Sequence, residues 1–468
     1  MRAGAIAVLA TTVVVTGCTS GSPAPAPTSV ISTAPSPPST SSLPTATSPA
    51  PAAYPDWPTY HGSPDRSGVS TTMPAASGRP RLAKKVALDA AVYAAPIVAQ
   101  GIVVAATEND SVYGLNPAGG IRWHRSLGTP ARSGDLPCGN IDPSGITGTP
   151  VYSSATGAVY VVTEHAGPVR HELAALDIRT GAVRWTRSVD LPGAEPNAMQ
   201  ARGALAIAGN RVWVTFGGRA GDCGAYKGRL IGVPLSGSGA AVSYTVPTSR
   251  EAGLWTPPGP SVDADGHLFA AVGNGASGAG DPYDHSDSVL EFDANARLID
   301  SFSPTSWASD NEGDLDLGSQ GPALVGNLVF QAGKSGIAYV LRRGALGGIG
   351  GQASSLNLPC HSFGGTAVQA GVVYAPCTEG LRAVRIGSTG RMTLVWKAAG
   401  TITGSPVIGG GRIWALDTDG GVLHALDPST GSSLGAVSVG AVTRFATPAI
   451  FGRTMYVGTR AGLSVVTT

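Results

Sequence analysis

ALDIRTGAVRW, residues 175–185, has the form of two short strands joined by a tight turn. Asp177 and the Thr-Gly pair that follows it are residue types that turns between antiparallel strands favour. The flat indole of Trp185 suits packing between neighbouring sheets. The first half of the stretch recurs as ALDPSTG at residues 425–431. Two further segments place a tryptophan at the equivalent point, Trp123 and Trp396.

The same strand pattern recurs eight times along the chain. Each copy has a glycine that begins an apolar strand, a short apolar strand before it, and a third and usually a fourth strand after it. The eight glycines, which are 40 to 60 residues apart, are Gly101, Gly157, Gly209, Gly266, Gly326, Gly371, Gly411 and Gly452. Four short strands in each of eight units are the signature of a propeller. We therefore predict an all-β, eight-bladed β-propeller of four-stranded antiparallel blades.

The composition agrees with many short strands and tight turns. Of 468 residues, 66 are glycine and only 13% are charged, which argues against helix bundles and coiled coils. The chain has 31 Lys and Arg residues against 30 Asp and Glu residues, and Arg2 lies in a segment that we expect to be removed. A balanced mature chain lacks the positive surface that nucleic-acid binding needs. We therefore expect no nucleic-acid partner.

The turn stretch and its repeats resemble the quinoprotein-type repeat of eight-bladed propellers, over roughly residues 57–468. This repeat family includes dehydrogenases that depend on pyrroloquinoline quinone (PQQ) and non-catalytic relatives such as BamB-type lipoproteins. The resemblance implies the propeller fold. It leaves two functions open: a binding or scaffolding module, or a PQQ/Ca²⁺-dependent dehydrogenase that oxidises an alcohol or sugar.

The two ends of the repeat region predict how the ring closes. The last repeat ends at residues 463–468 with its third strand and lacks a fourth, while residues 82–89 form one strand too many before the first repeat. We expect this early strand to become the outer strand of the last blade, because closure removes an unpaired edge. The propeller is then residues 80–468, and residues 56–79 are a lead-in segment.

The N-terminus predicts export and a lipid anchor. Residues 1–17 carry one positive charge and then about 11 apolar residues, a secretory signal too short to span a bilayer. They run into Val15-Thr16-Gly17-Cys18, which resembles the lipobox of bacterial lipoproteins and implies acylation of Cys18, palmitate included. The alternative is a simple secretory signal with an incidental cysteine. Acyl chains on Cys18 would hold the protein in the bilayer on the extracytoplasmic face of the cell membrane.

The segment after Cys18 is a predicted spacer. Residues 19–55 contain no charged residue and consist mostly of Pro, Ser, Thr and Ala. Such a composition cannot bury a core and is typical of a disordered or polyproline-like linker. At about 3.1 Å per residue it could reach about 100 Å. We therefore divide the N-terminal region into a signal peptide, residues 1–17, and a lipidated linker, residues 18–55.

Four cysteines lie in the propeller region, and their predicted location outside the cytoplasm favours disulfides. Three pairings are possible. Cys138 falls between repeats 1 and 2 and Cys223 between the second and third strands of repeat 3, two loop types that share one propeller face. Cys360 and Cys377 occupy the same two loop types around repeat 6. We therefore favour the pairs Cys138–Cys223 and Cys360–Cys377.

Three short stretches resemble the PQQ-dependent alcohol and polyvinyl-alcohol dehydrogenases. The resemblance implies that Trp255, at the start of WTPPGPSVD, is the stacking floor under the quinone, and that Asn274, in the GNG turn, binds Ca²⁺. In GDLDLG it implies Asp314 or Asp316 as the catalytic base for alcohol oxidation.

Two basic residues complete this implied site. Lys334, in GKSGIAY, stands where the family places a cation against the quinone, and Arg170, in Pro168-Val169-Arg170, matches the arginine of a GVRG-like segment of these enzymes, which implies a cofactor-binding role. The chain also departs from the enzymes, because Ala166 stands at the position of the Ca²⁺-binding glutamate and the adjacent-cysteine pair is missing.

We therefore expect a non-catalytic binding or scaffolding module at the cell envelope, with the dehydrogenase as the alternative. The longest loops are predicted on the face that carries both disulfides, at residues 131–146, 217–228, 275–287 and 351–363. Propeller loops on a rigid ring are suitable binding surfaces. The expected partners are the bilayer, through Cys18, and an envelope protein or a small-molecule or polymer ligand on this long-loop face.

Overall fold

A computed structural model describes residues 56–468, and these form the predicted eight-bladed β-propeller. The predicted signal peptide, Cys18 and the linker to residue 55 lie outside the described residues. Two strands, β1 (Val69–Ser70) and β2 (Arg81–Ala87), precede the first complete blade. Blades 1 to 8 are numbered here in chain order, and within each blade the strands are antiparallel neighbours from the channel outward.

The first four blades take up residues 97–303. Blade 1 contains β3 (Ile97–Ala99), β4 (Ile102–Thr107), β5 (Ser111–Leu115) and β6 (Ile121–Ser126). Blade 2 contains β7 (Val151–Ser153), β8 (Ala158–His165), β9 (Arg170–Asp177) and β10 (Val183–Ser188). Blade 3 contains β11 (Met199–Gln200), β12 (Ala206–Ala208), β13 (Arg211–Gly218), β14 (Arg229–Pro234) and β15 (Val242–Thr245). Blade 4 contains β16 (Ser261–Val262), β17 (Leu268–Val272), β18 (Ser288–Phe292) and β19 (Leu298–Ser303).

The last four blades complete the ring. Blade 5 contains β20 (Ala323–Val325), β21 (Leu328–Gln331), β22 (Ile337–Arg342) and β24 (Ser354–Asn357), while β23 (Gly348–Ile349) pairs in parallel with β19 of blade 4. Blade 6 contains β25 (Ala367–Gln369), β26 (Val372–Ala375), β27 (Arg382–Ile386) and β28 (Met392–Lys397). Blade 7 contains β29 (Val407–Gly409), β30 (Arg412–Asp417), β31 (Val422–Leu426) and β32 (Ser433–Ser438). Blade 8 contains β33 (Pro448–Phe451), β34 (Thr454–Thr459), β35 (Gly462–Thr467) and β2.

Helical structure in the described residues is confined to short segments of three to six residues. The α-helix α1 (Trp307–Glu312) lies between blades 4 and 5. The short 3₁₀ segments are Tyr60–Gly62, Ser133–Asp135, Pro196–Ala198 and Leu317–Ser319. From residue 56 onward, no helix has the length and apolar character needed to cross a membrane.

The predicted closure of the ring is confirmed. Strand β2 pairs antiparallel with β35, with Val86 opposite Leu463, and so supplies the outer strand of blade 8. The structure places this strand at Arg81–Ala87, one residue earlier at its start than the predicted segment. The phenol of Tyr456 in blade 8 donates to the carbonyl oxygen of Pro117 in blade 1 at 2.9 Å. Blade 8 is therefore bonded to the first blade as well as completed by the N-terminal strand.

The hydrophobic core lies between the blades. One cluster joins blades 1 and 2, others follow around the ring, and the largest joins blades 7, 8 and 1. The tryptophans of the repeated turn stretch contribute to these interfaces. The indole nitrogen of Trp123 donates to the carbonyl oxygen of Ile178 in the next blade at 3.0 Å. Trp396 donates in the same way to Pro428 at 2.9 Å. The predicted packing of these tryptophans between neighbouring blades is thus observed.

The lead-in segment fills one end of the central channel. Backbone amides of Tyr152, Val262, Val368 and Ile408, on the inner strands of blades 2, 4, 6 and 7, donate to carbonyl oxygens of this segment at 2.7–2.9 Å. Its residues 69–70, strand β1, add a parallel strand to the inner edge of blade 7. We call residues 57–70 the plug. The sequence did not predict this role, because the segment is too irregular to show a strand pattern.

Both predicted disulfides are present. Cys138 bonds to Cys223, and Cys360 bonds to Cys377. The loop prediction needs one correction, because residues 351–363 contain β24, the outer strand of blade 5, and only the part after Asn357 is a connection. The face that carries both disulfides is called the stapled face below.

Candidate functional site

The stapled face opens into a cavity of about 710 Å³ over the central channel. Its walls come from segments that precede inner strands and from loops between second and third strands, the loop types that carry the disulfides. The plug lies at the other end of the channel, where the backbone amide of Gln100, in the first turn of blade 1, donates to Asp56 at 2.8 Å. The cavity is therefore a funnel with a closed lower end.

Five of the residues implied by the family resemblance line this one cavity: Trp255, Asn274, Asp314, Asp316 and Lys334. They come from the connections before blades 4 and 5 and from loops of those two blades, which are neighbours in the ring. The structure therefore brings these five residues together in one cavity, and the roles that the resemblance implies for them stay predictions.

Asp316 is an acidic residue of the cavity whose two carboxylate oxygens both have partners. Its side chain is buried, one carboxylate oxygen accepts a hydrogen bond from the backbone amide of Asn274 at 2.6 Å, and the other is paired with the ammonium of Lys334. Gly273 makes this contact possible, because a Cβ there would lie 2.4 Å from Asp316 Oδ1. Burial raises the pKa of the Asp316 carboxyl, and the Lys334 charge offsets only part of this rise.

Lys334 joins the two candidate catalytic carboxylates. Its Nζ lies 2.6 Å from Asp314 Oδ1 and also contacts Asp316. Burial lowers the pKa of Lys334, but the two carboxylates outweigh burial, and the net pKa is raised. The lysine is therefore held as a cation, and the Asp314 carboxylate, which is largely exposed, is its second partner.

These residues do not fit a calcium ion. A Ca²⁺ site needs six to eight oxygen ligands, with carboxylates among them. Here both oxygens of Asp316 are engaged by Lys334 and by the Asn274 amide, and a second basic residue, Arg219, is part of the same lining. In the part of the chain that the structure describes, no group of three or more His, Cys, Asp or Glu side chains is arranged to hold a metal ion.

Arg170 requires a correction. It does not line the cavity; its side chain is 45% exposed and its Nε lies 3.5 Å from Glu172 Oε1 at the start of β9. The nearby buried arginine is Arg219, whose Nη2 lies 2.6 Å from Glu164 Oε1. Glu164 lies two residues from Ala166, the position at which the family would place its calcium-binding glutamate, and it is neutralised by Arg219 instead.

The opposite wall of the cavity is built from arginines and aromatic rings. The guanidinium carbon of Arg444 lies 3.9 Å from the ring centroid of Phe363, and that of Arg202 lies 4.6 Å from the ring centroid of Phe445. Phe445 also faces Trp255, with ring centroids 6.3 Å apart. Cations over aromatic faces are stabilised by the ring quadrupole. This wall therefore presents positive charge beside flat apolar surface.

Below the cavity, the channel narrows to a neck of about 20 Å³ between Arg202 and the plug residue Tyr60. Burial lowers the pKa of Arg202 to about 10, and the nearby Glu108 raises it in part. Glu108 is itself buried; its carboxylate accepts hydrogen bonds from the Gly145 amide and the Thr147 hydroxyl at 2.8 and 3.0 Å, and burial raises its pKa to about 8.

The residues of this aromatic and basic wall were not predicted from the sequence. Arg202 and Phe363 each stand four residues before an inner strand, as does Tyr93, which also lines the cavity. Phe445 stands three residues before the inner strand of blade 8. These residue types and their offsets of three or four residues are visible in the sequence, but only the ring geometry shows that the connections meet at one mouth of the channel.

Residues 59–226 match the family model described as outer membrane protein assembly factor BamB. This match confirms the resemblance to the quinoprotein-type propeller repeat, over most of the plug, blades 1 and 2 and the first part of blade 3. No curated protein sequence matches the chain.

Solved structures extend the likeness to most of the chain. Quinohemoprotein alcohol dehydrogenase from Comamonas testosteroni has a TM-score of 0.68 at 16% identity, over 88% of this chain and 80% of that chain. BamB from Moraxella catarrhalis has a TM-score of 0.57 at 18% identity, over 83% and 99%. The computationally designed Ika8 protein has a TM-score of 0.54 at 12% identity, over 84% and 100%. At these identities the similarity is one of fold.

Proposed function

We propose that this chain is a non-catalytic binding module of the cell envelope that holds its ligand in the cavity of the stapled face. The observation that carries the proposal is the pairing inside the cavity, because Lys334 forms ion pairs with both candidate catalytic carboxylates, Asp314 and Asp316. Arginines and aromatic rings form another part of the lining. Such a lining suits binding, because polar groups are placed beside apolar surface in a preformed concave site.

The long loops around the cavity support a binding role. Three of the four predicted loops contribute lining residues, among them Asn140, Asp222 and Phe363, whereas residues 275–287 contribute none. The disulfide Cys138–Cys223 ties two of these loops together. The cavity rim is therefore a rigid surface that an envelope protein or a ligand could contact.

The envelope location rests on the N-terminal segment and on the family model, which describes an outer membrane protein assembly factor. Acylated Cys18 would tether the propeller to the bilayer. Asp56, the first described residue, lies at the plug end of the channel. A Cys18→Ala variant should move from the detergent phase to the aqueous phase; retention in the detergent phase would contradict the anchor.

The dehydrogenase is the second candidate, favoured by the convergence of Trp255, Asn274 and Asp316 on one cavity. The test is to incubate the full chain with PQQ and Ca²⁺ and to follow dye reduction with alcohols and sugars. We expect no turnover that depends on PQQ. Turnover that is lost in Asp316→Asn and Asn274→Ala, but kept in the exposed control Arg122→Gln, would refute the binding module and establish the enzyme.

A further inference from the structure

We infer that one side of the propeller is a docking surface for an anionic phospholipid bilayer. This surface, called the basic flank below, consists of the outer strands of blades 8, 1 and 2, which are neighbours in the closed ring: β2, β6 and β10. The inference rests on the proposed envelope location and adds a second membrane contact to the predicted anchor at Cys18. None of the basic residues of the flank is part of the cavity lining, so the docking surface is separate from the cavity.

The first argument is that basic residues are concentrated on these three outer strands. The outer strands of the eight blades, all within residues 56–468, carry eight lysines and arginines, and the one outside the flank is Lys397 of blade 6. The only acidic residue on these eight strands is Asp300 of blade 4, on the other half of the ring. The seven basic residues of the flank are Arg81, Lys84, Lys85, Arg122, Arg125, Arg184 and Arg187.

The second argument is that this charge is exposed and mostly uncompensated. Six of the seven side chains are exposed. Within residues 56–468 only Arg184 forms an ion pair, with Asp177 at 2.6 Å, and the side chains of Arg81, Lys85 and Arg122 form neither an ion pair nor a hydrogen bond. Cations without a partner in the propeller are available to an anionic surface, which attracts each nearby lysine or arginine by about 1 kcal/mol.

The third argument is that apolar side chains are exposed beside these cations. Ile121 is the first residue of β6 and Val183 is the first residue of β10, and they are 50% and 41% exposed. Each is followed directly by an arginine of the flank. Surfaces that bind at the headgroup boundary of a bilayer combine apolar contact with attraction to anionic lipids. The equivalent placement in two successive blades therefore suits a bilayer.

The fourth argument concerns the point at which the propeller is joined to the predicted anchor. Asp56, the first described residue, accepts a hydrogen bond from the amide of Gln100 in blade 1 at 2.8 Å. The side-chain oxygen of Gln100 in turn accepts one from Arg179 Nε in blade 2, also at 2.8 Å. The chain that leads to Cys18 is thus joined to two of the three blades that form the flank. Acylation of Cys18 would keep a bilayer at high effective concentration, which favours a bilayer as the polyanion that the flank meets.

Vesicle flotation tests the inference on the chain from residue 18 onward, with Cys18→Ala so that no acyl group contributes. The vesicles contain equal parts of phosphatidylglycerol and phosphatidylcholine, or phosphatidylcholine alone. We expect saturable binding to the anionic vesicles only, and release at about 1 M salt, where the Debye length is about 3 Å. Absence of binding, or equal binding to both kinds of vesicle, would overturn the inference.

A pair of charge-matched variants tests whether the flank itself makes the contact. Arg81→Gln/Lys85→Gln should weaken binding to the anionic vesicles about 25-fold, because each charge contributes about fivefold, or about 1 kcal/mol. Arg391→Gln/Lys397→Gln removes the same charge from exposed positions of blade 6 and should bind as the original chain does. Equal losses in the two double variants would show that total charge decides binding, and would overturn the inference.

A fluorescent probe on one added cysteine tests the contact directly, and it stays informative if Arg81→Gln/Lys85→Gln unfolds. The probe is attached to Ile121→Cys on the flank or to Leu394→Cys on blade 6, positions that are 50% and 43% exposed. The four cysteines of the propeller are held in disulfides and do not react. Brominated phosphatidylglycerol should quench the probe at residue 121 and not at residue 394. Quenching at neither position, or equal quenching at both, would contradict docking through the flank.

Soluble polyglutamate distinguishes a bilayer from an acidic protein as the partner. If the chain binds polyglutamate but does not bind the anionic vesicles, the flank is assigned to an acidic protein and the inference is overturned. None of these results bears on the cavity or on acylation of Cys18, because PQQ-dependent turnover and detergent partitioning test those proposals separately.

Discussion

Arg219 Nη2 lies 2.6 Å from Glu164 Oε1, and both side chains are almost completely buried between blades 2 and 3. The pair is embedded in further hydrogen bonds, since Arg219 Nε donates to the carbonyl oxygen of Asn197 at 2.6 Å and the Ser144 hydroxyl donates to Glu164 at 3.2 Å. A buried pair is sensitive to the loss of one partner, because the other loses its nearest counter-charge; Glu164 would keep only His171 Nε2, at 3.6 Å.

Arg219→Met should therefore lower the free energy of unfolding by about 3–5 kcal/mol, measured by urea denaturation. The double variant Arg219→Met/Glu164→Gln should recover a substantial part of this loss, because no charge is then left unpaired. The single variant Glu164→Gln is measured as well. If the losses of stability in the two single variants simply add in the double variant, the pairing is contradicted. Arg122→Met, on the exposed edge of blade 1, is the control and should leave the midpoint unchanged.

The buried carboxyl of Glu108 predicts a pH dependence of stability. Burial raises its pKa in the folded state to about 8, above its unfolded value of about 4.5. The stabilisation from this group is complete below pH 4.5 and is lost as the pH rises through about 8. Glu108→Gln cannot ionise, so its free energy of unfolding should decline less than that of the original chain between pH 5 and 9. Parallel pH profiles for the two proteins would refute this assignment.

His171 acts in the same direction over a narrower range. Burial lowers its pKa, but hydrogen bonds and charges from Asp190 and Glu164 outweigh burial and raise the pKa to about 9. The stabilisation is complete below the unfolded pKa of about 6.5 and is lost as the pH rises through about 9. His171→Asn should be destabilised most at pH 6, and its difference from the original chain should shrink toward pH 10. A difference that is constant with pH would exclude a charged His171.

The fold was predictable because it repeats. Trp123, Trp185 and Trp396 mark equivalent turns, and eight copies of one strand pattern predict an eight-bladed propeller. Closure was also predictable, since the strand before the first repeat had only one place to pair. The plug was not, because its carbonyl groups bond to inner strands that are far away in sequence, and no local periodicity encodes such contacts.

The site was predictable in part. Trp255, Asn274 and Asp316 were found by resemblance and do share the cavity, but the resemblance could not show that Lys334 pairs with the carboxylates. Arg170 matches the motif but lies at the start of β9, where it is paired with Glu172 and is not part of the cavity lining. The location of Phe445 in the cavity could not be predicted, because only the ring geometry shows which connections meet at the channel mouth.

The two disulfides should differ in their contribution to stability. Cys138–Cys223 closes a separation of 85 residues and Cys360–Cys377 one of 17. In the chain-entropy account the longer closure stabilises by about 1.4 kcal/mol more. Cys138→Ser/Cys223→Ser should therefore lower the urea midpoint more than Cys360→Ser/Cys377→Ser. The reverse order would show that native contacts around Cys360–Cys377 outweigh the difference in closure entropy between the two disulfides.

The plug should depend on Arg66, which lies in the channel with 4% exposure. Its guanidinium donates to carbonyl oxygens of Leu205, Pro260 and Tyr60 at 2.9–3.3 Å and has no carboxylate partner within residues 56–468. Burial lowers its pKa to about 10, so it stays charged at neutral pH. Arg66→Met removes the guanidinium donor from these buried carbonyl groups, of which Leu205 keeps the Thr59 hydroxyl at 3.4 Å, and should lower the free energy of unfolding by about 3 kcal/mol.

The local effect of Arg66→Met should be larger than the global one, because Arg66 lies within the plug and this segment is joined to the inner strands by backbone hydrogen bonds. The amides of Val368 and Ile408 donate to Ser67 and Gly68 of the plug, at 2.8 and 2.7 Å, and report directly on its attachment. Hydrogen exchange at these two amides should accelerate in Arg66→Met more than exchange at blade cores. Arg79→Met, an exposed position just beyond the plug, should leave both amides protected. Unchanged exchange at Val368 and Ile408 in Arg66→Met would mean that the plug does not depend on this buried cation.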